Sequence, residues 1–405
     1  MAISHWRGNF TALDDRRFRW FLLSSSATFA AQQMQIVVRG WLVYDMTGSA
    51  LALGWVSIGA GAPLLLFSPL GGVIGDRVDK RNLLFLCQVL MLFVTLPIAL
   101  LVLLDAIDLW HLVVVSVAQG FILAFDLPSR SAIVPQLVET RHVMNAVGLS
   151  SSASNLNRVI APAMGGALVG IMGIDGVYFL MSGCFVASTA LLFRIPSLET
   201  PPRHQKRTLT GDITEGLGVV RRSPVLRWLL IAATVPIAFG MPYMMLMPIF
   251  ARDVLDVGAS GLGYLMGMTG IGALLGSMVV ASLGNSGRKG LILIGAVGVF
   301  GLSLMLFASS QQFWLCLVFL FGVGAANSIH FALTNTLLLV NTEDKFQGRV
   351  MGLYVITIGL LPIAVLPASA IAEAVGVQTV VLGGGSILAL FAVVLFFFRP
   401  SLRRL

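Results

Sequence analysis

Long apolar stretches alternate with short polar gaps along almost the whole chain. They fall at 18–44, 51–75, 83–104, 110–134, 146–171, 176–194, 226–250, 259–283, 290–309, 313–340, 349–374 and 378–398. About 20 apolar residues carry a helix across a hydrocarbon core of about 30 Å. The pattern therefore predicts an all-α membrane protein with twelve transmembrane helices. One long gap, 195–225, is polar, basic and proline-containing (Pro196, Pro201, Pro202, Arg203, Lys206, Arg207) and reads as a linker. It divides the chain into six-helix bundles at 1–194 and 226–405, with a short surface helix expected from Asp212 to Arg222.

The halves echo each other. Phe125-Asp126-Leu127 late in span 4 matches Phe331-Ala332-Leu333 late in span 10. Each is followed by a polar loop and a span with proline deep inside: Pro162 in span 5, Pro362 and Pro367 in span 11. Duplicated halves about an axis along the membrane normal are a transporter architecture. Glycine clusters such as Gly59-Ala60-Gly61 and Gly165-Gly166 suit close helix packing or a sliding surface; the residues alone leave both open.

Charge adds orientation. Lys and Arg fall in every second gap: Arg7, Arg16, Arg17 and Arg19; Arg77, Lys80 and Arg81; Arg141; the linker; Arg288 and Lys289; Lys345 and Arg349; Arg399, Arg403 and Arg404. The alternate gaps hold only Arg252. Such loops stay cytoplasmic during insertion, which predicts both termini on that side. The net charge of +8 then reflects insertion and anionic lipid contact, so nucleic acid is not an expected partner. Only 11% of residues are charged and mean hydropathy is +0.92, against about a quarter charged in soluble domains. A soluble protein is excluded. Arg and Asp residues run to Arg19 before the first span, unlike a cleavable signal. Cys87, Cys184 and Cys316 lie inside spans as small apolar fillers. No phosphate-binding loop, metal-ligand cluster or hydrolase elbow is present, so neither an enzyme nor a cofactor is expected.

The loop after span 2 reads Gly72-Val73-Ile74-Gly75-Asp76-Arg77-Val78-Asp79-Lys80-Arg81. It resembles the signature loop of the major facilitator superfamily, at the place where that family carries it. Asp126-Leu127-Pro128-Ser129-Arg130, Pro135-Gln136, Asn145-Ala146, Arg158 to Pro162 with Gly165-Gly166, and Gln347-Gly348-Arg349 resemble the branch of enterobactin-type siderophore exporters and macrolide efflux pumps. Ala161 stands where the antiporter motif of span 5 often has glycine, and the second-half copy of the loop, Gly284 to Lys289, lacks the Asp-Arg pair. The resemblance implies the two-bundle major facilitator fold and a gating latch built from Gly72, Asp76, Arg77, Lys80, Arg81, Asp126 and Arg349. In it Asp76 meets Arg349 at the start of span 11, and Lys80 or Arg81 meets Asp126. A carboxylate at a helix N-terminus is favoured by the helix dipole.

Polar residues inside spans mark candidate binding groups. Gln32, Gln35 and Arg39 share one face of span 1; Ser151, Ser154, Asn155 and Arg158 one face of span 5; Asn327, His330 and Thr334 one face of span 10. An intramembrane arginine costs a few kcal/mol unless it meets a cavity or a partner. Few acids are available in the spans, which favours a water-filled cavity over ion pairing and suits an anionic or catechol-like solute. Tyr243 with Met241, Met244, Met245 and Met247 on span 7, Tyr264 on span 8 and Tyr354 on span 11 are further candidates, although such residues also pack or face lipid. Asp126, His330 and Glu373 are the titratable groups available for proton coupling; His330 equally suits a structural hydrogen bond.

These features predict a secondary active transporter of a bacterial inner membrane, exporting a siderophore-like, anionic or drug-like solute by alternating access with protons as partner, and acting as a monomer among membrane lipids. A lipid-like or small-anion carrier, or a non-transporting receptor or scaffold on the same fold, are the alternatives.

Overall fold

The computed structural model describes residues 11–75, 77–197, 209–282 and 288–403. Every described element is helical. The first half holds α1 (Arg16–Thr47), α2 (Ala50–Gly75), α3 (Lys80–Leu103), α4 (Leu109–Leu137) and a 51-residue run, Val143–Phe193. That run is broken at Gly173 (φ 76°, ψ 172°), a left-handed geometry that glycine adopts without strain. Its limbs are α5 (143–172) and α6 (174–193). The linker region contributes α7 (Leu209–Arg222). The second half holds α8 (Pro224–Val254), α9 (Gly258–Ser282), α10 (Lys289–Ser309), α11 (Phe313–Val340), α12 (Asp344–Gly359, resuming after Leu360 as Leu361–Val375) and α13 (Val377–Phe398).

Local chemistry sets the ends. Asp79 accepts from the Arg81 amide at 2.9 Å and starts α3. At the start of α4 the His111 ring accepts from the Asp108 amide at 3.0 Å. Ser223 caps α8, whose first residue, Pro224, needs no amide partner. Inside α8 the prolines interrupt the regular ladder, and two π-type turns, Pro236–Gly240 and Phe250–Val254, absorb the mismatch.

Ten helical runs are long and apolar enough to cross a membrane, the Val143–Phe193 run counting once. Large apolar side chains cover their outer faces: Ile171 is 79% exposed, Trp314 76% and Phe93 69%. Exposed oil on this scale belongs in lipid.

Residues 1–47 and 59–203 form one compact unit, and residues 48–58 and 204–405 the other. The first two turns of α2 thus pack with the second half of the chain, a departure from halves cut at 194 and 226. In the first unit Phe18 and Phe21 (α1), Leu84 (α3), Ile133 and Leu137 (α4), Ala146 (α5) and Leu192 (α6) meet in one buried cluster. The starts of α1, α3 and α5 therefore lie with the ends of α4 and α6, so the helices alternate in direction. In the second unit α10 lies against α13 so closely that a Cβ on Gly301 would meet the backbone of Gly385 and Ala389. Phe250 stacks on Phe307 with ring centres 4.5 Å apart. Without a hydrophobic drive between helices in lipid, such backbone approach supplies the packing.

Candidate functional site

In the first unit, two turns past the middle of α1, Arg39 donates to the Gln119 side-chain oxygen on α4. Tyr178 on α6 lies within electrostatic reach of the same guanidinium. No carboxylate among the described residues forms an ion pair with Arg39. The same three helices carry buried polar atoms without partners: the amide nitrogens of Gln32 and Gln35 on α1 and of Gln119 on α4, and the Tyr178 hydroxyl on α6. Each of these atoms donates. The arrangement is a half-buried cation on helices that carry spare donors, and its chemical complement is an anion or an oxygen-rich acceptor.

Asn155 and Arg158 are exposed on α5, and no contact joins them to the Arg39 group among the described residues. Gln119 and Tyr178 escaped the sequence reading, although Ser116 lies one turn before Gln119 on α4 and Ser182 one turn after Tyr178 on α6, spacings that could have marked both faces.

A second polar cluster in the same unit was also not foreseen as a unit. Asp126 is fully buried, and Arg130, one turn later on α4, grips both its oxygens at 2.8 and 3.0 Å. Gln88 on α3 donates to Asp126 at 2.9 Å, and Thr28 on α1 donates to the Gln88 oxygen at 2.9 Å. Thr28 and Ser24 both reach Ser188 on α6, at 2.8 and 2.7 Å. Arg130 also donates to Ser25 at 2.9 Å and lies over the Phe29 ring. Four helices are thus tied through one buried, hydrogen-bonded chain.

This geometry corrects the expected partners of the signature loop. Asp126 meets Arg130 and Gln88 rather than Lys80 or Arg81, because a guanidinium one turn away on the same helix reaches it without crossing to the loop. Lys80 is buried at the start of α3. Arg81 instead donates to the last carbonyls of α6, Leu192 at 3.2 Å and Phe193 at 3.0 Å, and lies over the rings of Phe85 and Phe193. A cation there complements the negative end of a helix dipole. Gly72 is half-buried and Arg77 exposed; Asp76 lies outside the described residues. Arg349 pairs with Glu215 on α7 at 3.1 Å.

In the second unit Tyr243 is buried, its ring edge-on to Phe300. Asn327 is half-buried on α11. One turn on, His330 is buried and joined to the Ala232 carbonyl at 2.8 Å. Tyr354 on α12 is buried with its hydroxyl unpartnered, its ring 5.6 Å from that of Phe331. Glu373 is exposed at the far end of α12 and accepts from Ser49 Oγ at 3.2 Å and the Leu51 amide at 3.1 Å, capping the N-terminus of α2. No group of three His, Cys, Asp or Glu residues able to hold a metal occurs among the described residues.

A family profile described as "Transmembrane secretion effector" matches residues 7–404. Macrolide efflux protein A of Streptococcus pyogenes is 22% identical over 380 residues, covering 91% of this chain and 92% of that protein. Multidrug efflux pump Tap of Mycolicibacterium fortuitum is 25% identical over 395 residues, 95% and 96% of the two chains. Enterobactin exporter EntS of Shigella boydii is 26% identical over 337 residues, 81% and 80%. Among solved structures, nucleoside transporter NupG superposes with a TM-score of 0.73 at 14% identity, over 95% of this chain and 100% of that one. A bacterial homologue of the human lysosomal transporter Spinster gives 0.72 at 13% identity, over 96% and 98%. At these identities the solved structures establish the fold.

Proposed function

The chain belongs to the transmembrane secretion effector family of the major facilitator superfamily, and from that premise we propose that it exports an anionic or acceptor-rich organic solute across a bacterial inner membrane by alternating access. It is a multi-pass membrane transporter and not an enzyme. Counting α1 and both limbs of the broken helix as crossings brings the total to twelve, with α7 and both termini on the cytoplasmic side, where the basic gaps lie. The relatives named for efflux of macrolides, enterobactin and multiple drugs support the outward direction.

The solute class rests on one observation: Arg39 is half-buried beside Gln119 with no carboxylate partner among the described residues, on helices that also carry buried side-chain donors lacking acceptors. An intramembrane charge left in this state is tolerated where something else completes it. An anion or a catecholate would do so.

For coupling we assign the proton to Glu373 among the three titratable candidates. Asp126 is locked by Arg130 and Gln88, and His330 is tied to a backbone carbonyl, whereas Glu373 is exposed to bulk solvent. Protonating it removes the negative charge from the α2 N-terminus, which that charge stabilises.

The test is uptake of radiolabelled enterobactin and erythromycin into inside-out vesicles. Arg39→Ala should lower uptake by about tenfold or more, the loss of one charge-assisted bond, with expression unchanged, and Arg39→Lys should restore part of it. Uptake by Arg39→Ala at the wild-type rate would show that the guanidinium does not read the solute.

A further inference from the structure

The second unit holds its own unfinished polar site, centred on the His330 ring. A carbonyl oxygen only accepts, so the 2.8 Å contact with Ala232 fixes His330 Nε2 as the donor. In the neutral ring Nδ1 is then an acceptor, and it is buried without a partner. One turn on, Thr334 is fully buried and its hydroxyl is also unpartnered. This departs from the habit of helical threonines here: Thr189, Thr234, Thr269 and Thr336 each return the hydroxyl to the carbonyl four residues earlier. The Tyr354 hydroxyl, beside Phe331, is the third such atom. Buried polar atoms are rarely left unmade, and three on two adjoining helices mark a place that something polar completes.

We propose that His330 Nδ1, with Thr334 one turn along the same face, forms a subsite in the second unit that accepts a hydrogen bond from a hydroxyl group of the solute, as a phenol or catechol offers. The acceptor role is carried by His330, because Nδ1 lacks any proton to give once Nε2 is committed to Ala232. This deepens the reading above by adding a chemical feature of the solute, an O–H donor. It is tested separately from Arg39.

Full-length protein in detergent is titrated with catechol and with 1,2-dimethoxybenzene, in which methyl groups replace both O–H protons, and apparent affinity is read from thermal stabilisation. The wild type should prefer catechol by about tenfold, one hydrogen bond's worth. His330→Gln places an amide nitrogen where Nε2 was, keeping the tie to Ala232 while deleting the acceptor, and should lose the preference. His330→Asn keeps a polar group at the Nδ1 position and should retain it. A purely structural histidine predicts the reverse order, with Gln tolerated and Asn damaging. Absence of any preference in the wild type, failure to bind either compound, or an undiminished preference in His330→Gln would each overturn the subsite. A normal catechol preference alongside an unaffected Arg39→Ala transport rate would sink the Arg39 reading alone.

Discussion

Removing the carboxylate of Asp126 is the sharpest available test of what the buried polar chain does. In Asp126→Ala, Arg130 loses both of its contacts at 2.8 and 3.0 Å while remaining 5% exposed. Breaking one partner of a buried pair costs about 3–5 kcal/mol, because the survivor's charge stays dehydrated. Gln88 loses its acceptor as well, so the upper end of that range applies. At about 1.4 kcal/mol per decade, the unfolding equilibrium moves by roughly three and a half decades. Replacing both residues by apolar groups of similar size, Asp126→Leu with Arg130→Met, removes the charge and its dehydration together and should be close to neutral. Reversible unfolding in mixed micelles with increasing SDS measures both variants. The reasoning fails if the single and double variants lose the same stability, or if Asp126→Ala loses less than about 1 kcal/mol. Transport supplies a second readout. If the pair only ties α1, α3, α4 and α6 together, the folded double variant should still transport. A folded double variant that no longer responds to a pH gradient would return Asp126 to the coupling role.

Other consequences can be measured directly. Arg81→Ala should destabilise the first unit by about 1–3 kcal/mol, since charged bonds to two terminal carbonyls of α6 are lost, and Arg81→Lys should not fully rescue it because the planar stack between Phe85 and Phe193 is gone; an unchanged SDS midpoint for Arg81→Ala would remove the capping role. Glu373→Gln should leave solute counterflow intact while abolishing acceleration by an imposed pH gradient; persistent gradient-driven uptake would exclude Glu373 as the proton site.

Much of the helical layout is legible from the chain because the signal is one-dimensional. An apolar run of about 20 residues needs no partner to declare itself, and the stretches at 51–75, 259–283 and 313–340 match α2, α9 and α11 to within a residue at each end. The break between the fifth and sixth stretches falls at Gly173, inside the gap that the apolar pattern left between 171 and 176. Side-chain pairing is a different kind of information. Asp126 has cations near it in sequence and in the loop, and the family pattern favoured Lys80 or Arg81. The deciding fact is geometric: Asp126 and Arg130 are one turn apart on one helix, where opposite charges meet at little entropic cost. The i, i+4 spacing was present in the sequence, and so was the Ser24–Thr28 pair on α1 that leads to Ser188 and Gln88. Their joining into one network was not, because it depends on which faces of α1, α3, α4 and α6 turn inward. The same reasoning separates Arg39 from Arg130. Both are intramembrane arginines, but Arg130 is neutralised within its own helix and Arg39 donates to an amide, on helices that carry unfilled donors. A protein that had needed only to fold would have gained nothing from the arrangement at Arg39, so it is the uncompensated arginine, rather than the tightly paired one, that carries the functional argument.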